Sequence, residues 1–249
     1  MKLVSIITPC FNSALYIEET IKSIINQTYH NWELILIDDN SNDNTLEIIN
    51  SFGDRRIKCF YNKENMGPAY SRNLGLSKAK GRFISFCDSD DIWNKNKLEI
   101  QLKFMVNNEV PISYTSYSLI DSNGRDLNKI IRSKKKIDYY DYLKSTIIGM
   151  STSMIDNSKV KKIHFHDLRT RQDTYLWISL LKIGHKAYGI DDVLVKYRIH
   201  NNSISSNKFL AARRVWYLYY NLERLGLFKS TYYFIYYAIN SLKKNIIKS

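Results

Sequence analysis

Cysteine, proline and glycine are scarce in this sequence of 249 residues, which contains three, three and nine of them. Cys10, Cys59 and Cys87 are odd in number and have no Cys-x-x-Cys spacing, so we expect buried reduced thiols rather than disulfides or a zinc site. Long apolar runs are also missing: no segment offers ~18 uninterrupted apolar residues, and no transmembrane helix is expected. The first residues lead directly into a strand pattern without the features of a signal peptide, so we expect a cytoplasmic protein.

Acidic residues are outnumbered, since 24 Asp and Glu accompany 37 Lys and Arg and the formal net charge is +13. A basic chain attracts polyanions, namely nucleic acid, an anionic membrane surface or phosphorylated substrates. Nucleic acid is disfavoured because no zinc spacing, helix-turn-helix pattern or aromatic binding motif accompanies the charge. Basic residues are concentrated at positions 132–136 and 208–249, and a solvated surface is the alternative interpretation of both clusters.

Strand and helix patterns alternate over residues 1–110. Short apolar runs predict strands at 3–8, 34–37, 57–61 and 83–87, and apolar residues at helical spacing predict a helix after each of them. The alternation predicts an α/β fold in which helices cover both faces of a mainly parallel sheet, with ligands bound at the carboxyl ends of the strands. A nucleotide-dependent oxidoreductase is disfavoured because residues 8–15, after the first strand, contain no glycine.

The pattern changes after Pro111. We predict part of a hairpin over 112–124, a helix over 174–183, strands over 187–190 and 193–199, and two helical stretches after residue 207. The sequence shows no internal repeat and no linker. It therefore predicts one domain over residues 1–207, with halves 1–110 and 111–207, and an appended helical tail over 208–249.

Asp88, Ser89 and Asp90 follow the predicted strand at 83–87. Residues i and i+2 of an extended chain point to the same side, so the carboxylates of Asp88 and Asp90 can converge on one cation while Ser89 points away. Mg²⁺ or Mn²⁺ typically binds one or two protein carboxylates together with substrate phosphates. The alternative is that these aspartates cap the helix near Lys95 or form a turn. At the end of a buried strand we favour a metal site.

Asp39 and Arg72 occupy places where a nucleotide could bind. Asp39 ends the second strand, where its carboxylate could accept hydrogen bonds from a nucleobase or from ribose hydroxyls; an Asx-turn is the equal alternative. Arg72 lies on the helix after Gly67 and Pro68, where a guanidinium could reach a diphosphate, and a surface arginine is its default interpretation.

Asp173 and His200 are the candidates in the second half. Asp173 could be a general base that takes the proton of an acceptor hydroxyl, or it could only compensate the dipole of the helix that it opens. His200 follows the strand at 193–199 and could be a third metal ligand or a phosphate contact.

An ordered set of segments resembles the inverting glycosyltransferases of family 2, which have the GT-A fold. The matching segments are 4–12, 27–29, 32–39, 65–69, 72–75, 81–91, 171–173 and 197–200. The resemblance implies that residues 1–110 bind the nucleotide sugar and residues 111–207 the acceptor. By this resemblance, the nucleoside would be held by Thr8, Pro9 and Asp39, and the diphosphate by Arg72. Asp88 and Asp90 would hold the metal and the sugar, and Ser89 would also bind the nucleotide sugar. Asp173 would accept the proton of the acceptor hydroxyl. His200 would contact the metal or the diphosphate. Gln172 stands where many members have Glu.

By the same resemblance the chain is expected to be a metal-dependent enzyme that uses Mn²⁺ or Mg²⁺. It would move a hexose or N-acetylhexosamine from UDP to a hydroxyl of a lipid-linked or saccharide acceptor with inversion. Analogy with small relatives suggests the synthesis of O-antigen, capsule, lipopolysaccharide or another surface polysaccharide. A catalytically inactive nucleotide-sugar-binding relative is the main alternative, and nucleic-acid binding a more distant one. The oligomeric state does not follow from the sequence.

The tail combines aromatic residues with positive charge. Its aromatic residues include Trp216, Tyr217, Tyr219, Tyr220, Tyr232, Tyr233, Phe234, Tyr236 and Tyr237. Lys243, Lys244 and Lys248 flank them. Aromatic side chains favour the membrane interface and basic residues favour anionic lipid, so we expect a peripheral contact with the cytoplasmic face of the inner membrane. Packing on the catalytic domain or dimerisation is the alternative.

Overall fold

The computed structural model describes residues 2–200 and 208–246. Ten strands lie in this part of the chain: β1 (Val4–Cys10), β2 (Trp32–Asp38), β3 (Ile57–Tyr61), β4 (Phe83–Phe86), β5 (Ile92–Trp93), β6 (Ile112–Ile120), β7 (Asp126–Ile131), β8 (Lys136–Ile137), β9 (Ser153–Asp156) and β10 (Ala187–Arg198). The same residues contain eight α-helices: α1 (Ile17–Ile25), α2 (Thr45–Asn50), α3 (Pro68–Lys78), α4 (Lys97–Asn107), α5 (Tyr139–Ser145), α6 (Gln172–Lys182), α7 (Lys208–Tyr217) and α8 (Gly226–Ile246). A 3₁₀ turn, Met150–Thr152, precedes β9, and a π-helical turn, Leu218–Leu222, follows α7.

One mixed sheet contains all ten of these strands, in the order β3-β2-β1-β4-β9-β6-β10-β5, with β7 beside β6 and β8 beside β10. The first four positions in this order are parallel neighbours, as the sequence predicted. β1, β2 and β4 are almost entirely buried. Strands covered on both faces read as continuous apolar runs, which is why the pattern identified them.

The other half of the sheet differs from the prediction in its details. β9 runs antiparallel to both β4 and β6, and β10 runs parallel to β6. The two strands predicted at 187–190 and 193–199 are one strand, β10, interrupted by a shift in its pairing with β6 between Ile190 and Val193. Asp191 and Asp192 lie at this irregularity, so a β-bulge explains the break in the apolar pattern.

Helices cover both faces of the sheet. Ile6 of β1 packs in a core cluster with Ile21 of α1 and Leu98 of α4. Ile7, on the opposite face, packs in a cluster with Ala69 of α3 and Trp177 of α6. Adjacent strand residues point to opposite faces, so α1, α2 and α4 form one layer, and α3, α5, α6, α7 and α8 form the other.

The C-terminal helices pack on the second of these layers. Val215, Leu218, Tyr219 and Tyr237 are buried in the same core cluster as Trp177. Among the described residues no helix is long and apolar enough to cross a membrane. Lys248, which the sequence places among the basic residues of the tail, lies outside the described residues.

The three cysteines are unpaired thiols, but Cys59 is only partly buried, contrary to the prediction of buried thiols. Cys10 and Cys87 are fully buried, and burial raises the pKa of both thiols well above the ordinary value. They are therefore protonated and act as small apolar residues of the core.

Candidate active site

The candidate site lies where β1, β2 and β4 end. Pro9 of β1 is in register with Ile37 of β2, and Ile7 of β1 is in register with Phe86 of β4. Because the three strands are parallel, the residues that follow them meet at one edge of the sheet. Asp39 and Asp88 come to this edge in that way.

Asp39 is buried and fixes the loop that leads into α3. Its Oδ1 accepts hydrogen bonds from Asn62 Nδ2 at 2.7 Å and from the amide of Met66 at 2.9 Å. Its Oδ2 accepts from the amide of Gly67 at 2.7 Å, and one lone pair of that oxygen is left for a ligand. Gly67 has φ +88°, which glycine adopts without strain, and Pro68 begins α3 directly after it.

The side chain of Asp38, the preceding residue, is used within the loop after β2. Asp38 accepts the hydroxyl of Ser41 at 2.6 Å and the amide of the same serine at 3.1 Å. Asp39 therefore points toward the loop before α3, while Asp38 closes the turn after β2.

Arg72, one turn into α3, is a buried arginine rather than a surface one, with 4% of its area exposed. Its Nη2 donates to Asp88 Oδ1 at 2.6 Å. Its Nε and Nη1 are buried and have no hydrogen-bond partner among the described residues. Burying a guanidinium with two unsatisfied nitrogens costs free energy, so the arrangement favours an anionic partner for Arg72.

Thr8 and Pro9 lie in the last residues of β1. Thr8 is fully buried, and its Oγ1 has no partner among the described residues; Pro9 is partly exposed. Both lie at the carboxyl edge of the sheet. Their contact with a nucleoside stays a prediction.

The segment 88–91 forms a turn closed by the amide of Asp91, which donates to the carbonyl of Asp88 at 3.2 Å. Ser89 turns away from the aspartates, and its hydroxyl lies 2.8 Å from that of Ser13. Within the described part of the chain no side chain caps α4, which begins after Asn96, so the aspartates do not serve as its cap. The backbone of Asp88 is fixed by a hydrogen bond from its amide to Ser151 Oγ at 2.9 Å.

The carboxylates of this turn repel one another. Burial, and then the charge of Asp88, raises the pKa of Asp90. Burial, and then the charges of Asp90 and Asp88, raises the pKa of Asp91 well above its ordinary value. A divalent cation would relieve this repulsion, so the chemistry of the turn fits the metal that the sequence predicts.

His200 lies two residues after the end of β10 and contacts the same turn. Its Nε2 lies 2.9 Å from Asp90 Oδ2, and its ring lies 5.5 Å from that of Tyr16. Within residues 2–200 and 208–246, no group of three or more His, Cys, Asp or Glu side chains is placed to hold a metal ion. Two carboxylates suffice when substrate phosphates complete the coordination shell, and Asp88 and Asp90 are suited to that arrangement.

Arg198 organises the turn but was assigned no role from the sequence. Its amide donates to Asp91 Oδ1 at 3.0 Å, and its Nε donates to the carbonyl of Asp90 at 2.8 Å. Nη2 pairs with Glu19, and the guanidinium lies 4.6 Å from the centre of the Tyr16 ring. Arg198 thus ties the end of β10 to the turn and brings His200 to Asp90. Arg198 lies in the matching segment 197–200, and that position was the one sign in the sequence that it has a role at the site.

Asp173 lies in the first turn of α6 and is partly exposed. The hydroxyl of Thr174 lies 3.5 Å from Asp173 Oδ1, a long hydrogen bond. The role of Asp173 as a general base stays a prediction. Arg171, the residue before α6, has φ +61° and donates to the hydroxyl of Tyr237 at 3.4 Å. Gln172 is buried, and its Oε1 has no partner among the described residues.

Two contacts bring the segment before α6 to the loop and helix that carry Arg72. Asn73 and Phe165 exchange two hydrogen bonds, at 2.7 and 2.9 Å, between the side chain of Asn73 and the backbone of Phe165. Arg169 donates to Asn65 Oδ1 at 2.8 Å. The segment before α6, which leads to Asp173, is therefore in contact with the loop before α3 and with α3 itself, which carries Arg72.

The family model for glycosyl transferase family 2 matches residues 5–164. A Bacillus subtilis (strain 168) protein described as a teichuronic acid biosynthesis glycosyltransferase, TuaG, is 46% identical over 98% of this chain and 98% of its own length. An Escherichia coli protein, WfgD, is 39% identical over 98% of this chain and 95% of its own length. It is named as a UDP-Glc:alpha-D-GlcNAc-diphosphoundecaprenol beta-1,3-glucosyltransferase.

Solved structures agree with the fold. S. aureus TarS 1–349 in complex with UDP-GlcNAc has a TM-score of 0.71 at 22% identity, over 89% of this chain and 67% of that chain. The mannosyltransferase PcManGT from Pyrobaculum calidifontis, in complex with GDP-Man and Mn²⁺, has a TM-score of 0.69 at 16% identity, over 99% and 76%. These likenesses confirm the predicted GT-A fold.

Proposed function

The chain belongs to glycosyl transferase family 2, among relatives of the surface-polysaccharide type, and from that premise we propose a specific reaction for it. It transfers a hexose or N-acetylhexosamine from a UDP-sugar to a hydroxyl of a lipid-linked saccharide, with inversion at the anomeric carbon. The E. coli relative is named for UDP-Glc and a diphosphoundecaprenol acceptor, and TarS was solved with UDP-GlcNAc. These names support the choice of donor and acceptor.

Arg72 carries the proposal. Its guanidinium is buried with two unpartnered nitrogens, beside Asp88 and at the carboxyl edge of the parallel strands. A diphosphate is the ligand that satisfies those nitrogens and brings phosphate oxygens to Asp88 and Asp90. Thr8, Pro9 and Asp39, on the neighbouring strand ends, are proposed to contact the nucleoside, and Ser89 is proposed to contact the nucleotide sugar.

Sugar transfer with inversion requires a diphosphate leaving group on one side of the anomeric carbon and a base on the opposite side. Asp88 and Asp90, with His200 beside them, are proposed to hold Mn²⁺ or Mg²⁺, which would supply Lewis-acid stabilisation of the charge that develops on the departing diphosphate. Arg72 binds that same diphosphate. Asp173 takes the proton of the acceptor hydroxyl as its oxygen attacks the anomeric carbon. One in-line displacement of this kind inverts the anomeric centre.

The donor half of the proposal is tested by UDP binding. Arg72→Gln should weaken UDP binding by about tenfold or more, since a charge-assisted pair contributes ~1.5–3 kcal/mol. Arg82→Gln is the matched control, because Arg82 also pairs with an aspartate, Asp156, but at the start of β4. Titration calorimetry with and without Mn²⁺ measures both. Equal UDP affinity in the two variants would contradict the assignment of Arg72.

The transfer half is tested by Asp173→Asn. This variant should keep UDP affinity and lose about 10²-fold or more in turnover, because it removes proton acceptance alone. A panel of UDP-sugars with a lipid-linked GlcNAc diphosphate acceptor identifies the donor, and NMR of the product reads the anomeric configuration. Wild-type protein that binds UDP-sugars but neither transfers nor hydrolyses them would be an inactive relative instead.

A further inference from the structure

The outward side of α8 is apolar. We call the side chains of Phe228, Tyr232, Ile235, Tyr236 and Ile239 the outer face of α8. All five are exposed, from 42% for Tyr236 to 91% for Phe228. Phe228, Tyr232, Ile235 and Ile239 follow the spacing of one helical face. α8 therefore leaves a second, apolar side exposed to solvent, and such a patch marks an interaction site.

The inward side fixes the helix to the protein. Tyr237 and Ser230 are buried, and the ring of Phe234 packs edge-on against Trp216 with centroids 5.5 Å apart. Asn240 Nδ2 donates to the carbonyl of Lys144 in α5 at 2.9 Å. With one side committed to these contacts, rotation of α8 cannot bury the outer face.

The tail that carries the outer face has an excess of positive charge, and Asp138, just before α5, is an acid close enough to act on Tyr233 of α8. Glu223 is the only acid in residues 208–249, and it is buried against Lys182 Nζ and the hydroxyl of Tyr139, each 2.9 Å away. Arg213, Arg224 and Lys229 are exposed on the tail. Lys144 adds a further cation, 5.7 Å from the ring of Tyr236.

We propose that the outer face of α8 binds the surface of an anionic phospholipid bilayer. The helix lies in the plane of the interface, with Phe228, Ile235 and Ile239 in the outer acyl region and the tyrosines at headgroup level. The surrounding cations meet the lipid phosphates. An apolar face on a tail with eight Lys or Arg residues and a single, buried acid is complementary to such a surface, whereas two copies of this tail would bring like charges together.

Binding of α8 to a bilayer would also fix how the candidate site lies relative to the lipid surface. The hydroxyl of Tyr237, on the inward side of α8, contacts Arg171, which lies two residues before Asp173. A lipid surface against α8 is therefore close to the acceptor side of the site. The claim that lipid-linked acceptors arrive from this surface rests on the proposed function. The claim that α8 binds lipid is independent of it.

Flotation of the full chain with vesicles tests the proposal. Phosphatidylcholine vesicles are compared with phosphatidylcholine–phosphatidylglycerol vesicles, at low and high salt. The test variant is the triple substitution Phe228→Ser, Ile235→Ser and Ile239→Ser. The matched control replaces exposed apolar residues elsewhere on the surface: Leu46→Ser, Val106→Ser and Leu127→Ser.

Wild type and control should float with the anionic vesicles and much less with the neutral ones, and the triple variant should bind at least tenfold more weakly. Equal flotation of the triple variant, absence of flotation for wild type, or equal binding to neutral vesicles would overturn the proposal. A dimer seen by light scattering and abolished by the triple variant would assign the face to a second copy. UDP affinity, measured in parallel, should be the same in all three proteins, so failure of lipid binding and failure of donor binding are read separately.

Discussion

Lys97 carries an amino group into the apolar interior behind the candidate site. Its Nζ donates to Gln101 Oε1 at 2.8 Å and lies 3.8 Å from the centre of the Trp93 ring. Trp93 in turn donates to the carbonyl of Ser151, whose hydroxyl holds the amide of Asp88. Burial lowers the pKa of Lys97 to about 7, because the charged form is poorly solvated there.

A dependence of stability on pH follows. Between about pH 7 and pH 10.4, the ordinary value for lysine, the unfolded chain binds one more proton at this residue than the folded chain. The contribution of Lys97 to the free energy of unfolding therefore rises with pH in that window, by up to ~1.4 kcal/mol per pH unit, and is constant below it.

Lys97→Met should remove this contribution. Denaturant unfolding at several pH values between 7 and 10 should show wild type gaining stability relative to the methionine variant as pH rises. Lys103→Met, an exposed position on the same helix, is the control and should change the pH profile little. Parallel profiles for wild type and Lys97→Met would mean that the amine is charged in the folded protein.

Among the elements, α3 is held unusually close to β1. A Cβ atom at Gly75 would lie 2.5 Å from Ile7 Cγ2, so the absence of a side chain allows the contact between helix and strand. Arg72 sits one turn earlier on the same helix. The position of the guanidinium therefore depends on how closely α3 packs.

Gly75→Ala should push α3 away from the sheet and cost about 1–3 kcal/mol of stability, the usual cost of overpacking, despite the better helix propensity of alanine. Ser77→Ala, at an exposed position of α3, should be neutral or slightly stabilising. Thermal and denaturant melts compare the two, and UDP affinity should fall in Gly75→Ala. A stabilised Gly75→Ala protein would show that the core can make room.

Elements were predictable where local pattern and tertiary environment agree. β1 to β4, α1, α3, α4 and α6 follow from apolar runs and periodicity. β5 and β8 have two residues each, so their existence depends on pairing with β10 rather than on their own sequence. The bulge in β10 made one strand read as two.

The candidate site also has features that could be predicted from the sequence and features that could not. Asp88, Asp90 and Arg72 were recognisable because strand ends and helix starts concentrate ligand contacts. The sequence alone could not show that Arg72 is buried or that Arg198 holds the turn, since both facts depend on which distant segments pack around them. Their roles toward substrate stay predictions.

At the scale of the whole molecule, the tail is part of the core. Burying Val215, Leu218, Tyr219 and Tyr237 contributes roughly 6–12 kcal/mol at ~1.5–3 kcal/mol per large apolar side chain, which is comparable with the total stability of a domain. The packing of α7 and α8 therefore bears on the stability of residues 1–207.

Deletion of residues 208–249 should expose the layer around Trp177 and yield a protein that aggregates or melts at a much lower temperature. The triple serine variant of α8, which changes exposed positions only, should melt close to wild type. Circular dichroism melts and size-exclusion chromatography distinguish these outcomes. A truncated chain with unchanged Tm would establish residues 1–207 as an independent domain.

The bridge between Arg169 and Asn65 has a thermodynamic meaning as well as a structural one. It joins the loop that enters α3 to the segment that enters α6, so the two substrates of a transfer reaction would meet loops that share a contact. Thermodynamic linkage is reciprocal. If a bound donor changes the affinity for the acceptor through this bridge, a bound acceptor changes the affinity for the donor by the same factor.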